Sequence, residues 1–441
     1  MGFVGLGLLI FGLIVGLDLG KKVNQLLSEA TGRKAEIVVD AQKKLGNMPR
    51  PWNNFGQGGE TNEGMLNPVI SQMKDLSPSY IRIDHIYDFY EVVNKDSGVL
   101  QFNFGKLDEE VGAILKMGAK PFLALSYMPP ALAPGVTDKP NNWGEWQQLV
   151  RATIEHYSGI GAMNIDGVYY EVWNEPDLFG GFRVWGEKNY LDMYRVSAQA
   201  AQQATNVNKF KIGGPATTGL YNNWIEGLFK MVVNENLRLD FVSWHRYSFD
   251  PDSFKKDVEM VNSLMVKYPK LALKERIISE WGPDPENHTS YDNQVGAAHT
   301  VVSVREMIGG INKAIMFEIK DGLDPENKVF WGRFGMITHE SKGLNLKPRY
   351  KAFKWLNELG ETRLSMSGEG SWVRGIAAKN GEAVQVNLVN YDKFSQHREA
   401  VPVVIKNLVP GRYRVVEEDF EGKITQKEVN ITKGTWSASA T

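Results

Sequence analysis

Between Phe55 and Leu359, short apolar runs alternate with longer amphipathic ones, the pattern of βα units around a parallel sheet. The apolar runs predict eight strands, over residues 54–57, 80–84, 121–126, 167–173, 211–214, 241–245, 276–280 and 314–320. Between them lie helical stretches such as 143–157, where Trp146, Leu149, Val150, Ile154 and Tyr157 recur near a period of 3.6 residues. Residues 190–204, 224–233 and 300–308 behave alike, and 350–359 would close the set. Eight such repeats predict an α/β fold, a (β/α)₈ TIM barrel over residues 50–360. A doubly wound open sheet is the competitor, but no G-x-G-x-x-G follows the first strand.

Outside this stretch the pattern changes. Beyond Gly360 the runs 372–378, 383–391, 401–405, 411–419 and 424–429 read as antiparallel strands split by polar turns, a small β-sandwich over residues 361–441. The run AEIVVDA at 35–41 has no local partner, so residues 35–49 are expected to complete that sandwich before the chain enters the barrel. At the other extreme, residues 2–17 carry no charge, which predicts a membrane anchor or uncleaved signal over 1–22, followed by a polar tether over 23–34. The expected setting is a membrane-anchored protein facing the periplasm or the cell exterior. Lys21 and Lys22 after the apolar run pull toward the opposite orientation by the positive-inside rule, so orientation stays open.

Composition narrows the function classes. With 50 basic and 52 acidic residues the net charge is −2, which speaks against a nucleic-acid partner. Aromatics at 11% suit a surface that meets flat apolar ligands, and the lack of cysteine removes thiolate nucleophiles, thiolate metal sites and disulfides. No H-E-x-x-H or close histidine pair suggests a metal, and no cofactor is expected.

The chemistry concentrates at strand ends. Strand four runs into YYEVWNEPD, placing Asn174 and Glu175 at the barrel mouth before Pro176 turns the chain outward. Strand seven ends IISEWG and brings Glu280 to the same rim. A carboxylate after Ile277, Ile278 and Ser279 is costly to bury without a task or a partner. Two carboxyls across one cleft suggest glycoside hydrolysis, in which one attacks the sugar and the other protonates the leaving oxygen. Arg82, in YIRIDHIY, is the candidate charge that keeps Glu280 ionised, and Tyr247, in SWHRYS, a candidate donor to it. Asn174 offers an amide to a sugar 2-hydroxyl, His85 and His245 are polar groups on the rim, and Trp281 and Trp331, just past strands seven and eight, are candidate stacking platforms. The EIKDG run at 318–322 puts an unexplained Glu and Lys near the mouth.

W-N-E-P-D at 173–177, S-E-W-G at 279–282 and F-V-S-W-H-R-Y at 241–247 together resemble the clan A retaining glycoside hydrolases, most closely family 39. That family includes β-xylosidases, α-L-iduronidases and bacterial exopolysaccharide hydrolases, often with a β-sandwich joined to the barrel. The resemblance implies Glu175 as acid/base, Glu280 as nucleophile, and the FGQGGE stretch at 55–60, with Gly58, as part of the sugar pocket. The expected function is retaining cleavage of β-linked sugars, β-xylosidase-like or exopolysaccharide-degrading, with a carbohydrate and the membrane as partners. Two alternatives stay open: a transglycosylase using the same two glutamates, and an inactive anchored polysaccharide-binding protein.

Overall fold

The computed structural model describes residues 32–59, 64–330 and 332–440. The expected anchor at 1–22 and all but the last residues of the tether lie outside the described residues. Among those described, no helix is long and apolar enough to cross a membrane. The described residues divide into two compact units, one within Pro49–Glu358 and the other combining those up to Met48 with those from Leu359 onward.

The first unit is a closed barrel of eight parallel strands, Asn54–Gln57, Tyr80–Ile83, Lys120–Leu125, Val168–Val172, Phe210–Thr217, Phe241–Tyr247, Glu275–Gly282 and Lys313–Phe317. They pair in chain order, and the eighth closes on the first with Ile315 opposite Asn54. Helices follow the strands because their apolar faces need the sheet. In Trp143–Tyr157 the Asn142 side chain caps the first turn by accepting from the Gly144 N–H, and Trp146, Leu149, Val150, Ile154 and Tyr157 are buried. A hairpin of Val93–Asp96 and Val99–Phe102, which the apolar pattern does not signal, is inserted after the second strand.

Inside the barrel, Phe122, Tyr169, Phe241, Ile277 and Ile315 form a buried apolar cluster, with Tyr80 packed against it. Side chains two positions along a strand share a face, so the next inward residues toward the carboxyl ends are Arg82 after Tyr80 and Glu171 after Tyr169, with His245 two steps beyond Phe241. The inward face thus turns from apolar to charged as it approaches the mouth. In strand seven a register irregularity against strand six falls between Ile278 and Glu280, and Glu280 ends up opposite His245. A one-residue slip exchanges the faces of a strand, so Glu280 enters the barrel and Trp281 leaves it.

The second unit holds a six-stranded sheet in the order Ala383–Asn390, Val373–Asn380, Thr362–Ser367, Ile37–Asn47, Val401–Lys406 and Trp436–Ala440. The strand predicted near Ala35 is central here, antiparallel to Thr362–Ser367 and parallel to Val401–Lys406. Its inward residues Ile37 and Val39, with Ala35 just before it, join Leu364, Val373, Ala377, Val401 and Val403 in one apolar core. Gly411–Glu418 and Ile424–Ile431 pair as a separate hairpin.

Candidate active site

One buried cation organises the mouth of the barrel. Arg82 is 1% exposed, and its Nε donates to Glu171 Oε2 at 2.8 Å, Nη1 to Glu280 Oε1 at 2.8 Å and Nη2 to Asn174 Oδ1 at 2.7 Å. Burial alone would lower the Arg82 pKa, but the carboxylates of Glu171, Glu280 and Asp84 reverse this and leave it raised. A buried guanidinium is tolerated only when its donors are matched in this way, and removing either partner would leave an uncompensated charge. Glu171, which the sequence reading did not single out, is fully buried and supplies half of that match. Its signal was present in YYEVWNE, where Glu171 shares an alternation face with the inward Tyr169.

The two expected carboxyls converge. One oxygen of Glu175, one oxygen of Glu280 and a ring nitrogen of His245 all lie within 4.8 Å of one another. His245, fully buried, places Nδ1 2.7 Å from Glu175 Oε1 and 3.4 Å from Glu280 Oε2. Tyr247 donates its hydroxyl to Glu280 Oε2 at 2.9 Å, so both oxygens of Glu280 accept from fixed donors. The spacing would also suit an ion, although the Arg82 guanidinium, 2.8 Å from Glu280, opposes a second positive charge there. Glu175 is presented on strained backbone. Trp173 has φ 72° and Glu175 φ 46°, and left-handed non-glycine residues cost about 1–3 kcal/mol each, a cost typically met at functional sites. The turn is held by the Glu175 N–H donating to the Ala216 carbonyl at 3.0 Å, and by the Phe179 N–H donating to the Glu175 carbonyl at 2.8 Å.

Burial and neighbouring charge compete at three of these groups. Burial raises the Glu280 carboxyl above the usual range, while the positive charges of His245 and Arg82 pull against that rise. Burial would lower His245, yet the carboxylates of Glu280 and Glu175 more than offset it and leave its pKa raised. Tyr247 is pushed well up by burial and by Glu280, so it stays a phenol and a donor.

The other expected residues divide. Asn174 sits at the centre, its amide accepting from Arg82 and donating to the Tyr127 hydroxyl at 2.7 Å. His85 lies on the rim with φ 53°, its Nδ1 2.8 Å from Asp88 Oδ2 and its ring 4.6 Å from that of Tyr127. Gly58 permits a close approach: its N–H donates to Glu318 Oε2 at 3.2 Å, and a Cβ there would fall 2.7 Å from the Phe317 ring. This also accounts for Glu318, which accepts from Gln57 Nε2 at 3.0 Å, while Lys320 Nζ pairs with Glu340 at 2.6 Å. Trp281 requires a correction. Its ring is fully buried against Phe254, His299 and Phe353 on the outer helices, because the slip in strand seven turns it away from the mouth, so it packs and does not meet sugar. Trp331 lies outside the described residues.

Comparison with known proteins gives the site a context. A profile of Glycosyl hydrolases family 39 matches residues 36–390. A β-xylosidase of Caldicellulosiruptor saccharolyticus is 26% identical over 437 residues, covering 90% of this chain and 88% of that one. Among solved structures, a family 39 enzyme from Xanthomonas axonopodis pv. citri superposes with a TM-score of 0.75 at 20% identity, covering 92% of this chain and 95% of that one. A monomeric β-xylosidase from Caulobacter crescentus CB15 gives the same TM-score at 21% identity, covering 92% and 97%. At those identities the two structures speak for the fold, whereas the family profile runs through both strand-end motifs and the whole of the barrel. The chain belongs to glycosyl hydrolases family 39 and is an O-glycosyl hydrolase.

Proposed function

We propose that this enzyme is a retaining β-glycosidase of the β-xylosidase type, working by double displacement through a glycosyl ester on Glu280. The observation that carries the reading is the approach of Glu175 and Glu280 to within 4.8 Å. Carboxyls about 5–5.5 Å apart suit direct attack with retention, whereas inversion needs about 6.5–9.5 Å to admit a water between them. The roles follow from the donors. Arg82 and Tyr247 both stabilise a negative Glu280, the form that attacks the anomeric carbon, while Glu175 gives its proton to the departing oxygen. In the second half Glu175 takes a proton from water, which attacks the ester and frees Glu280. The choice of xylose rests on the β-xylosidase named above, with 88% of its length covered.

Aryl β-xylosides, assayed beside other aryl glycosides, test this reading. Release of phenol fastest from the xyloside supports it, and no release from any of them would favour a sugar-binding protein without catalysis. Products longer than the substrate, formed with added acceptor sugar, would favour the transferase alternative. The uncharged run at 2–17 supports placing this activity at a membrane, and recovery of the full chain in the soluble fraction of lysed cells would count against that placement.

A further inference from the structure

Whatever group departs must pass on the Glu175 side, because that carboxyl delivers the proton to its oxygen. The loop that follows Glu175 after strand four leaves Leu178 60% and Phe179 43% exposed. An exposed phenyl next to a carboxyl offers a sugar the flat apolar face on which a pyranose ring stacks. Phe179 is fixed within one turn of the acid, since its N–H donates to the Glu175 carbonyl. Its ring meets Tyr127 edge-on at 6.0 Å, and the Tyr127 hydroxyl is the partner of Asn174. Tyr127 in turn faces His85, which stacks on Phe89 at 4.3 Å, so rings from the loops after strands two, three and four form one wall. The wall is held in shape at Gly180, where φ is 105° and a Cβ would fall 2.5 Å from the Thr137 carbonyl oxygen of the loop after strand three.

We infer that Phe179 is the platform of a leaving-group subsite, and that the group displaced from Glu280's sugar is a second sugar ring stacked by its apolar face on this phenyl. Phe179 thereby sets the preference for glycan chains over glycosides with small leaving groups. The inference rests on Glu175 being the acid and on the xylosidase reading above.

Two substrates separate the possibilities. β-Xylosyl fluoride loses fluoride and has no leaving ring, whereas xylobiose loses a xylose that would rest on Phe179. Phe179→Ala should lower kcat/KM for xylobiose about five- to tenfold while leaving the fluoride within about twofold, the scale of one aromatic stacking contact. Phe179→Trp, which keeps a flat ring, should restore xylobiose cleavage. Equal losses on both substrates, or undiminished xylobiose cleavage in Phe179→Ala, would overturn the inference and leave the glycosidase reading standing. A wild-type enzyme that turns over neither substrate would overturn the xylosidase reading, and this inference with it.

Discussion

Replacing Tyr247 with phenylalanine removes one hydrogen bond and little else. The ring that packs 6.2 Å from Phe334 is retained, and the lost atom is the hydroxyl that donates to Glu280 Oε2 at 2.9 Å. A hydrogen bond to a charged acceptor contributes about 1.5–3 kcal/mol. At about 1.4 kcal/mol per pH unit, its loss should raise the Glu280 pKa by roughly one to two units beyond the rise that burial already imposes. Glu280 attacks only when ionised, so activity is lost as pH falls through its pKa, and a higher pKa moves that loss to higher pH. The acid limb of kcat/KM for an aryl β-xyloside, which reports the free enzyme, should therefore shift upward in Tyr247→Phe. The phenol itself does not titrate there, since burial and Glu280 push it well up. An acid limb that stays in place, or moves down, would refute the claim that Tyr247 sustains the charge on Glu280.

Other substitutions test the remaining parts. Glu175→Ala should slow substrates with poor leaving groups by about 10²–10⁴-fold and activated aryl glycosides far less, and equal losses on both would refute its acid role. Arg82→Met leaves Glu171 and Glu280 buried without their cation and should cost about 3–5 kcal/mol in urea unfolding; a variant of unchanged stability would mean that the triple contact is not structural. Trp281→Phe should destabilise the barrel by about 1–3 kcal/mol with KM unaltered, because its ring packs against outer helices. A raised KM would return that ring to the sugar site.

The barrel was legible because strands buried on both faces read as short continuous apolar runs, and the helices between them keep a 3.6-residue period. All eight expected strands appear within a few residues of their predicted ends. Thr362–Ser367 was not legible, since its sequence TRLSMS carries one fully buried apolar residue, Leu364, among polar and half-exposed ones. The strand near Ala35 could be read, but its partners could not, because pairing across more than three hundred positions leaves no local trace. Within the site, Glu175, Glu280, Arg82, His245 and Tyr247 announced themselves as polar groups at the ends of apolar strands. Trp281 misled because simple alternation cannot anticipate an irregular register, and that same slip is what brings Glu280 inward. Glu171 escaped notice as an ordinary member of strand four, and Tyr127 as a residue of the loop after strand three, although they match Arg82 and Asn174. Glu318 and Lys320 took their meaning only from distant partners, Gln57 and Glu340.

The stereochemistry of the first product bears most directly on the pairing of Glu175 with Glu280. Proton NMR during early hydrolysis of an aryl β-xyloside should show β-xylose appearing first and the α-anomer growing only by mutarotation. Initial appearance of α-xylose would contradict attack by Glu280 on the sugar.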